Sequence, residues 1–174
     1  CEQSPNVPFT VLDLKLPQPY VPSIPLSLDD LLKNTLEPID IDENAICNNC
    51  NGRLESETTH IKKLNKILSI KLPRIYMNKK GKEVIATKRF RFGMSLNSTQ
   101  LVPTQTDEEN EVYDLFAVIN YIALKGGAGH YTAHVMDWGS KKWFLCDDEK
   151  KVQEMKSNFD FAFDQAYILV YAHK

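Results

Sequence analysis

The stretch "HYTAHVMDWGSKKWFLCDD", residues 130–148, has the pattern of a β-hairpin. Two runs rich in aromatic and apolar residues flank a short polar turn whose glycine, Gly139, is free to adopt a positive φ. If Trp138 and Gly139 are the two central residues of that turn, His130 lies directly opposite Asp147 on the neighbouring strand. Directly opposed residues have Cβ atoms roughly 4.5–5.5 Å apart, so this carboxylate can reach the imidazole.

A histidine held by an aspartate is an arrangement that nucleophilic catalysis uses. The carboxylate on one ring nitrogen fixes the tautomer and stabilises the imidazolium, which leaves the other nitrogen to act as a base on a nucleophile. The glycine-rich stretch 126–129, directly before His130, would let a peptide substrate lie close to the backbone. A turn one residue longer would make Asp148 the partner. The other interpretation is a surface His–Asp pair at a hairpin end, without function.

The rest of the chain predicts a β-rich domain with little helix. Ser27 followed by Asp30 predicts the N-terminus of a short helix over 26–34, with a buried stripe of leucines. Strands are predicted from alternating or short apolar runs within 8–17, 66–75, 88–96, 112–124, 130–136, 141–146 and 166–172. Residues 102–112 read as a polar, acidic loop. Because hairpins dominate, we expect an α+β fold that is predominantly antiparallel β.

Length and charge narrow the class of protein. The 174 residues suit one domain, and 43% hydrophobic with 25% charged residues is ordinary globular composition. A formal net charge of −2 argues against a nucleic-acid partner, and no apolar run reaches the ~18 residues of a membrane span. Because the chain starts with Cys1 and no signal peptide is visible, we expect a processed or excised piece of a longer protein.

The cysteines point to a reducing compartment. There are four, Cys1, Cys47, Cys50 and Cys146, and a Cys-x-x-Cys pair in such a chain favours metal or redox chemistry over a disulfide scaffold. We therefore expect an intracellular protein, cytoplasmic or nuclear or both. Cys47 and Cys50 are half of a structural zinc site, which takes four ligands. Free thiols on a turn are the alternative interpretation.

Several ordered motifs resemble the ubiquitin-specific protease family of papain-like cysteine peptidases. The histidine box of that family ends in Gly-His-Tyr, its aspartate box is Trp-x-x-Phe-Asp-Asp-x-x-Val, and its last strand carries Ala-Tyr-x-Leu-x-Tyr. In this chain these motifs correspond to residues 129–131, to 143–148 with Val152, and to 166–171. Upstream, "LNKILSIKLPRI", residues 64–75, is similar to another strand of the family.

The resemblance covers nearly the whole chain and implies a fold and a function. Residues 1–174 would be the C-terminal portion of one catalytic domain, with fingers over about 1–75 and the palm over about 76–174. That domain hydrolyses isopeptide or peptide bonds after the C-terminal glycine of ubiquitin. Its partners would be ubiquitin or ubiquitinated proteins and the N-terminal thumb of the same domain, and catalysis would require no cofactor.

The resemblance also implies roles for single residues. His130 would be the general base, Asp147 its orienting partner, and Asp148 a polar helper near the oxyanion or the histidine loop. Contacts to the tail of ubiquitin are implied for Gly126, Gly127, Gly129 and Tyr131. A finger zinc site is implied for Cys1, Cys47 and Cys50, because the spacing from Cys1 to Cys47 matches that between the family's two cysteine pairs.

This sequence departs from the family pattern at four places. Tyr121 stands where a histidine is frequent, Cys146 where phenylalanine precedes the two aspartates, and Ile75 where phenylalanine follows an arginine. One extra residue separates Asp148 from Val152. These differences indicate a divergent member.

The family's nucleophile box, a cysteine at a helix N-terminus preceded by an asparagine, is not found in these 174 residues. We therefore expect the chain by itself to be inactive, although it carries the base and the aspartate. A non-catalytic ubiquitin-binding scaffold on the same fold is the alternative function. A generic zinc-ribbon β-domain is a third interpretation that leaves the ordered motifs unexplained.

Overall fold

A computed structural model of the chain describes residues 7–17, 25–41, 44–77, 81–86, 89–102, 110–124, 128–156 and 159–173. Fourteen strands and one α-helix lie in these segments. The strands of the first half are β1 (Val11–Asp13), β2 (Leu26–Ser27), β3 (Ile39–Asp40), β4 (Ser56–Glu57), β5 (Ile67–Lys71), β6 (Ile75–Met77) and β7 (Glu83–Ile85). Those of the second half are β8 (Phe90–Arg91), β9 (Ser95–Asn97), β10 (Val112–Ala123), β11 (Gly129–Met136), β12 (Trp143–Cys146), β13 (Gln153–Glu154) and β14 (Ala166–His173).

One large sheet organises the fold. Its strand order is β1-β5-β14-β10-β11-β12-β13, and β9 pairs with the start of β10. Only the β1–β5 pair is parallel within this sheet, so the predicted α+β, predominantly antiparallel fold class is confirmed. Three two-stranded pairs, β2–β8, β3–β4 and β6–β7, lie outside it. The predicted strand 88–96 is in fact two short strands, β8 and β9.

The helix α1 (Leu28–Leu36) begins where the sequence predicted. The Ser27 side chain accepts a hydrogen bond from the amide of Asp30, and the Asp30 carboxylate accepts one from the amide of Ser27 at 2.8 Å. This capping box satisfies two amides that the first helical turn leaves without partners. Leu28, Leu31 and Leu32 are buried in the same core as the sheet. No helix in the described segments is both long and apolar enough to cross a membrane.

A buried arginine ties the peripheral strands to the sheet. The guanidinium of Arg74, which is 1% exposed, donates to the carbonyls of Ala166 (2.7 Å), Ala86 (3.1 Å) and Phe163. It also lies 4.5 Å from the ring centroid of Phe90. Burying a cation is costly unless its donors are satisfied, and here the carbonyl partners and the ring provide that compensation.

The β11–β12 hairpin has a longer turn than the sequence predicted. The strands pair with Ala133 opposite Cys146 and Met136 opposite Trp143, so four residues, 138–141, separate the closing pair Asp137 and Lys142. The predicted two-residue turn was therefore wrong. The turn's positive φ, 56°, belongs to Lys141, and Gly139 does not have one.

The side chain of Asp137 explains why the longer turn forms. Its carboxylate accepts hydrogen bonds from the amide of Ser140 at 2.8 Å and from the Ser140 hydroxyl at 2.6 Å. An aspartate that bonds the backbone a few residues ahead replaces the strand hydrogen bonds that a tighter turn would make.

Candidate active site

The start of β11 positions His130. This residue lies opposite Ile122 of β10 and, because side chains alternate along a strand, shares a face with Thr132 and His134. The imidazole is partly exposed, with 31% of its side-chain surface accessible. β11 pairs with both β10 and β12, and it carries the candidate base near its N-terminal end.

Asp147 follows the end of β12 and contacts His130. Its Oδ1 lies 2.6 Å from Nε2 of the imidazole, and its side chain is 19% exposed. A carboxylate accepts hydrogen bonds, so Nε2 carries the proton in this contact. The prediction that the two side chains lie within hydrogen-bonding distance is met by the structure, although the pairing register that suggested it was wrong.

His130 and Asp147 are in contact although the predicted strand register was wrong, and the reason is geometric. Continuing the observed register beyond β12 places Asp147 beside Thr132, so that His130 is its diagonal neighbour. The predicted and observed turns differ by two residues, and side chains on a strand alternate with a period of two. Asp147 therefore stays on the face of His130, and a diagonal pair is within reach of two such side chains.

The second oxygen of Asp147 is bound by a lysine from the following turn. Lys150 Nζ lies 2.7 Å from Oδ2, and its amide donates to the Asp147 carbonyl at 3.0 Å. This ammonium, and after it the imidazole of His130, hold the pKa of the Asp147 carboxyl below its usual range. The same ion pair raises the pKa of Lys150.

Asp148 lies on the other side of the ring. Its Oδ2 is 3.6 Å from Nδ1 of His130, its side chain is 73% exposed, and its φ is +46°, in the left-handed region. At this separation the two atoms are not hydrogen-bonded. The arrangement leaves Nδ1 of His130 as the nitrogen that can accept a proton from an incoming nucleophile.

The glycines and Tyr131 are placed as follows. Gly126 and Gly127 lie outside the described residues. A Cβ atom on Gly129 would be 2.2 Å from the Tyr121 ring. This ring covers Gly129, so only glycine fits before His130 without a shift of the ring. Tyr131 is 53% exposed, lies on the face opposite His130, and its ring centroid is 5.1 Å from that of Tyr121.

The sequence reasoning missed a buried polar pair beneath the site. His134 is 8% exposed, and its Nδ1 lies 3.0 Å from Nδ2 of Asn120, which also donates to the Thr132 hydroxyl. Burial lowers the pKa of His134 and favours its neutral form. Alternation from His130 was the signal that could have placed His134 on the same face.

The Cys47–Cys50 segment forms a tight turn. The amide of Cys47 donates to the Gly52 carbonyl at 2.8 Å, and Asn51 has a φ of 54°. Backbone amides of Asn49 and Cys50 lower the pKa of the Cys47 thiol, which favours the thiolate that metals bind. Cys1 lies outside the described residues, so the described part offers two thiols of the four ligands that a structural zinc site takes.

One other group of possible metal ligands exists within the described segments. His130, Asp147 and Asp148 each offer an atom, and these atoms lie within 4.8 Å of one another. The Lys150 ammonium already occupies Oδ2 of Asp147, however. The cluster therefore has the composition of an acid–base site, in which the Lys150 ammonium takes the position of a metal cation beside Asp147.

Comparisons with known proteins give one consistent result. The family model for ubiquitin carboxyl-terminal hydrolase matches residues 30–171. Ubiquitin carboxyl-terminal hydrolase 5 of Arabidopsis thaliana is 30% identical over 155 residues, which is 87% of this chain and 16% of that protein. Ubiquitin carboxyl-terminal hydrolase 3 of Homo sapiens is 30% identical over 150 residues, 83% of this chain and 28% of that protein.

The fold is also found among solved structures. A chain of the SAGA Ubp8/Sgf11/Sus1/Sgf73 DUB module bound to ubiquitin aldehyde matches with a TM-score of 0.69 at 22% identity, over 94% of this chain and 35% of that chain. The chain thus spans less than a third of these two relatives and about a third of the solved chain.

Proposed function

The chain belongs to the ubiquitin carboxyl-terminal hydrolase family, the ubiquitin-specific proteases, and from this membership we propose that it is the histidine- and aspartate-bearing part of a deubiquitinase catalytic domain. The reaction is thiol-dependent hydrolysis of the bond after the C-terminal glycine of ubiquitin. The observation that carries this proposal is the 2.6 Å contact between Nε2 of His130 and Oδ1 of Asp147.

In this mechanism His130 is the general base. With Nε2 donating to Asp147, Nδ1 takes the proton of a cysteine thiol, and the thiolate attacks the carbonyl carbon of the ubiquitin glycine. The imidazolium then returns its proton to the leaving amine, and a water completes hydrolysis of the thioester. Asp147 keeps the ring in the correct tautomer and stabilises its charge, and Asp148 is a polar helper beside Nδ1.

Within the described segments, no cysteine is placed beside His130. Cys47 and Cys50 share the tight turn near the bridge between Ile46 and Arg53, and Cys146 is paired with Ala133, on the face of the sheet opposite His130. We therefore assign the nucleophile to an N-terminal thumb of the same domain, which would pack against this part. The fingers would occupy about 1–75 and the palm about 76–174.

Ubiquitin is the proposed substrate and binding partner. The solved neighbour described above is bound to ubiquitin aldehyde, which supports a ubiquitin site on this fold. The loop with Gly126, Gly127 and Gly129, together with Tyr131, would line the channel for the ubiquitin tail. Tyr121 packs over Gly129 and fixes the position of the residue before His130.

The chemistry of the cysteines supports two proposals, a structural zinc site and an intracellular location. Cys47 and Cys50 would hold a structural zinc together with Cys1 and a ligand that these residues do not supply, and the reaction itself needs no cofactor. Thiols kept for metal binding favour a reducing compartment, which supports a cytoplasmic or nuclear enzyme. Live-cell imaging of the tagged protein tests the location, and a secreted pool would overturn it.

The test of the catalytic role uses the intact protein and ubiquitin that carries a fluorogenic group at its C-terminus. His130→Ala should lower turnover at least 100-fold, because a general base contributes ~10²–10⁴-fold, and ubiquitin affinity should stay unchanged. Asp147→Asn should lower it similarly, because the amide no longer fixes the required tautomer. The matched control His60→Ala, an exposed histidine, should retain full activity.

Three results discriminate among the interpretations. A His130→Ala enzyme with more than about a tenth of wild-type turnover contradicts the role of the base. Binding of ubiquitin without any turnover by the wild-type protein supports the scaffold. Turnover by the 174-residue chain alone, abolished by Cys146→Ser, overturns both the placement of the nucleophile and the orientation of Cys146.

A further inference from the structure

The turn after β12 carries a residue that nothing in the mechanism above uses. Lys150 lies three positions after Asp147, in the segment that is one residue longer than the motif it resembles. Its ammonium contacts Oδ2 of Asp147 at 2.7 Å while Oδ1 contacts His130 at 2.6 Å. One carboxylate therefore bridges an imidazole and an ammonium, and each of its oxygens is engaged.

We propose that Lys150 is a positioning residue that fixes Asp147 and sets the pH range in which the His130–Asp147 pair is active. This inference rests on the proposed function. Lys150 is 72% exposed on its side chain and acts through Asp147, whose side chain is only 19% exposed. The backbone contributes as well, since the Lys150 amide donates to the Asp147 carbonyl and closes the turn.

The geometry gives the carboxylate one orientation. An aspartate held only through Oδ1 can rotate about its terminal torsion, which is broad. A second charge-assisted contact at Oδ2 opposes that rotation and keeps Oδ1 on the imidazole. Loss of Lys150 should therefore lower kcat and leave KM for ubiquitin unchanged, because Lys150 acts on the catalytic pair through Asp147 and is assigned no role in ubiquitin binding.

The charge of Lys150 determines the sign of the pH effect. The ammonium partly compensates the carboxylate, and so weakens the pull of Asp147 on a proton at the imidazole. Without it the protonated pair persists to higher pH, and the acidic limb of the kcat/KM profile moves upward. Because the pair titrates as a unit, the limb reports an apparent value for the pair.

The other groups that face His130 do not substitute for this charge. β10 presents the apolar Ile122 opposite it, and β11 presents the buried His134, which burial favours in its neutral form. Among the described residues beside the ring, Asp148 is the remaining charged group, at 3.6 Å from Nδ1, and its negative charge adds to that of Asp147. In the described turn, Lys150 is the cation in contact with Asp147.

The expected shift follows from the distance. The ammonium and the imidazole contact the two oxygens of one carboxylate at 2.7 and 2.6 Å, so two charges placed there would be on the order of 6 Å apart. Between unit charges at that separation, a water-like dielectric gives a shift of about 0.3–0.5 pH unit. Charge reversal should roughly double this value, and ~1 M salt, with a Debye length near 3 Å, should remove most of it.

The experiment measures pH profiles of kcat and kcat/KM in the intact enzyme with the fluorogenic ubiquitin substrate. Lys150→Met should move the acidic limb up by about 0.3–0.5 pH unit and lower plateau kcat about 2–5-fold, with KM unchanged. Lys150→Glu should move the acidic limb of the profile further, and Lys150→Arg should keep the wild-type profile. The control is Lys151→Met, one residue along and without an ion pair in the described turn, which should match wild type.

The outcomes separate the two proposals. If wild type turns over, His130→Ala does not, and the Lys150→Met and Lys150→Glu limbs coincide with wild type, the role of Lys150 is overturned and the proposed function stands. If His130→Ala keeps its activity, the proposed function fails, whatever Lys150 does. A Lys150→Met effect that appears only in KM, or that Lys151→Met reproduces, also overturns the inference.

Discussion

The change Gly129→Ala tests how the histidine strand is held. A Cβ atom there would lie 2.2 Å from Cε2, 2.5 Å from the hydroxyl oxygen and 2.6 Å from Cζ of Tyr121. Ordinary carbon contacts begin near ~3.5 Å, so the ring must retreat by about 1.3 Å or more. It is not free to do so without loss, because its centroid lies 5.1 Å from Tyr131 and 6.0 Å from Tyr167.

The magnitude follows from these contacts. Overpacking by one methyl group costs about 1–3 kcal/mol, and each aromatic pair disturbed contributes about 0.5–1.5 kcal/mol. We expect a loss of about 1–3 kcal/mol in the free energy of unfolding, and a fall in turnover of about 10–100-fold in the intact enzyme. The effect on turnover is large because His130 is the next residue, and a shift near 1 Å at a catalytic group costs on the order of 10²-fold.

Urea unfolding followed by tryptophan fluorescence measures the first quantity and the fluorogenic ubiquitin assay the second. Gly139→Ala is the matched control, because its Cβ would meet nothing closer than an Asp137 oxygen at 3.6 Å. Tyr121→Ala should remove most of the penalty of Gly129→Ala in a double-mutant cycle. A Gly129→Ala variant that behaves like Gly139→Ala, or a cycle without coupling, contradicts the packing of Tyr121 over Gly129.

Three further predictions concern stability and metal. Arg74→Ala should lower the free energy of unfolding by about 3–5 kcal/mol, because buried carbonyls lose charged hydrogen-bond donors. The exposed control Arg91→Ala should change it by less than about 0.5 kcal/mol. Equal losses in the two variants would contradict the hydrogen bonds assigned to Arg74. Burial, and after it the Glu111 carboxylate, raise the pKa of Tyr113 to about 12, above the ~10 of an unfolded tyrosine. The contribution of Tyr113 to the free energy of unfolding should therefore be fully present below pH ~10 and be lost as the pH rises from about 10 to 12. Tyr113→Phe should flatten that dependence in alkaline unfolding curves, and an unchanged slope counts against it. The intact protein should contain zinc that Cys47→Ser and Cys50→Ser release, as measured by elemental analysis, and a metal-free wild type would rule out the finger site.

Local rules in the sequence determined the elements. The Ser27–Asp30 capping box and the leucine stripe fixed the helix, because both features act within a few residues. The long apolar strands β10 and β14 and the antiparallel class followed from pattern in the same way. The prediction that His130 and Asp147 share a face depended only on the period of two along a strand. It was therefore correct although the predicted turn was two residues too short.

The three-dimensional structure was needed for what depends on specific side-chain contacts, whether the partners are near or far in the sequence. The hairpin register was set by the Asp137 side chain bonding ahead to Ser140, a competition with strand pairing that a turn dipeptide does not reveal. The need for glycine at 129 comes from the Tyr121 ring on the neighbouring strand. The bridging of Asp147 between an imidazole and the Lys150 ammonium depends on where the chain turns after β12. Sequence periodicity fixes which face a side chain takes, whereas distances of 2–4 Å between side chains are fixed only when the strands have packed.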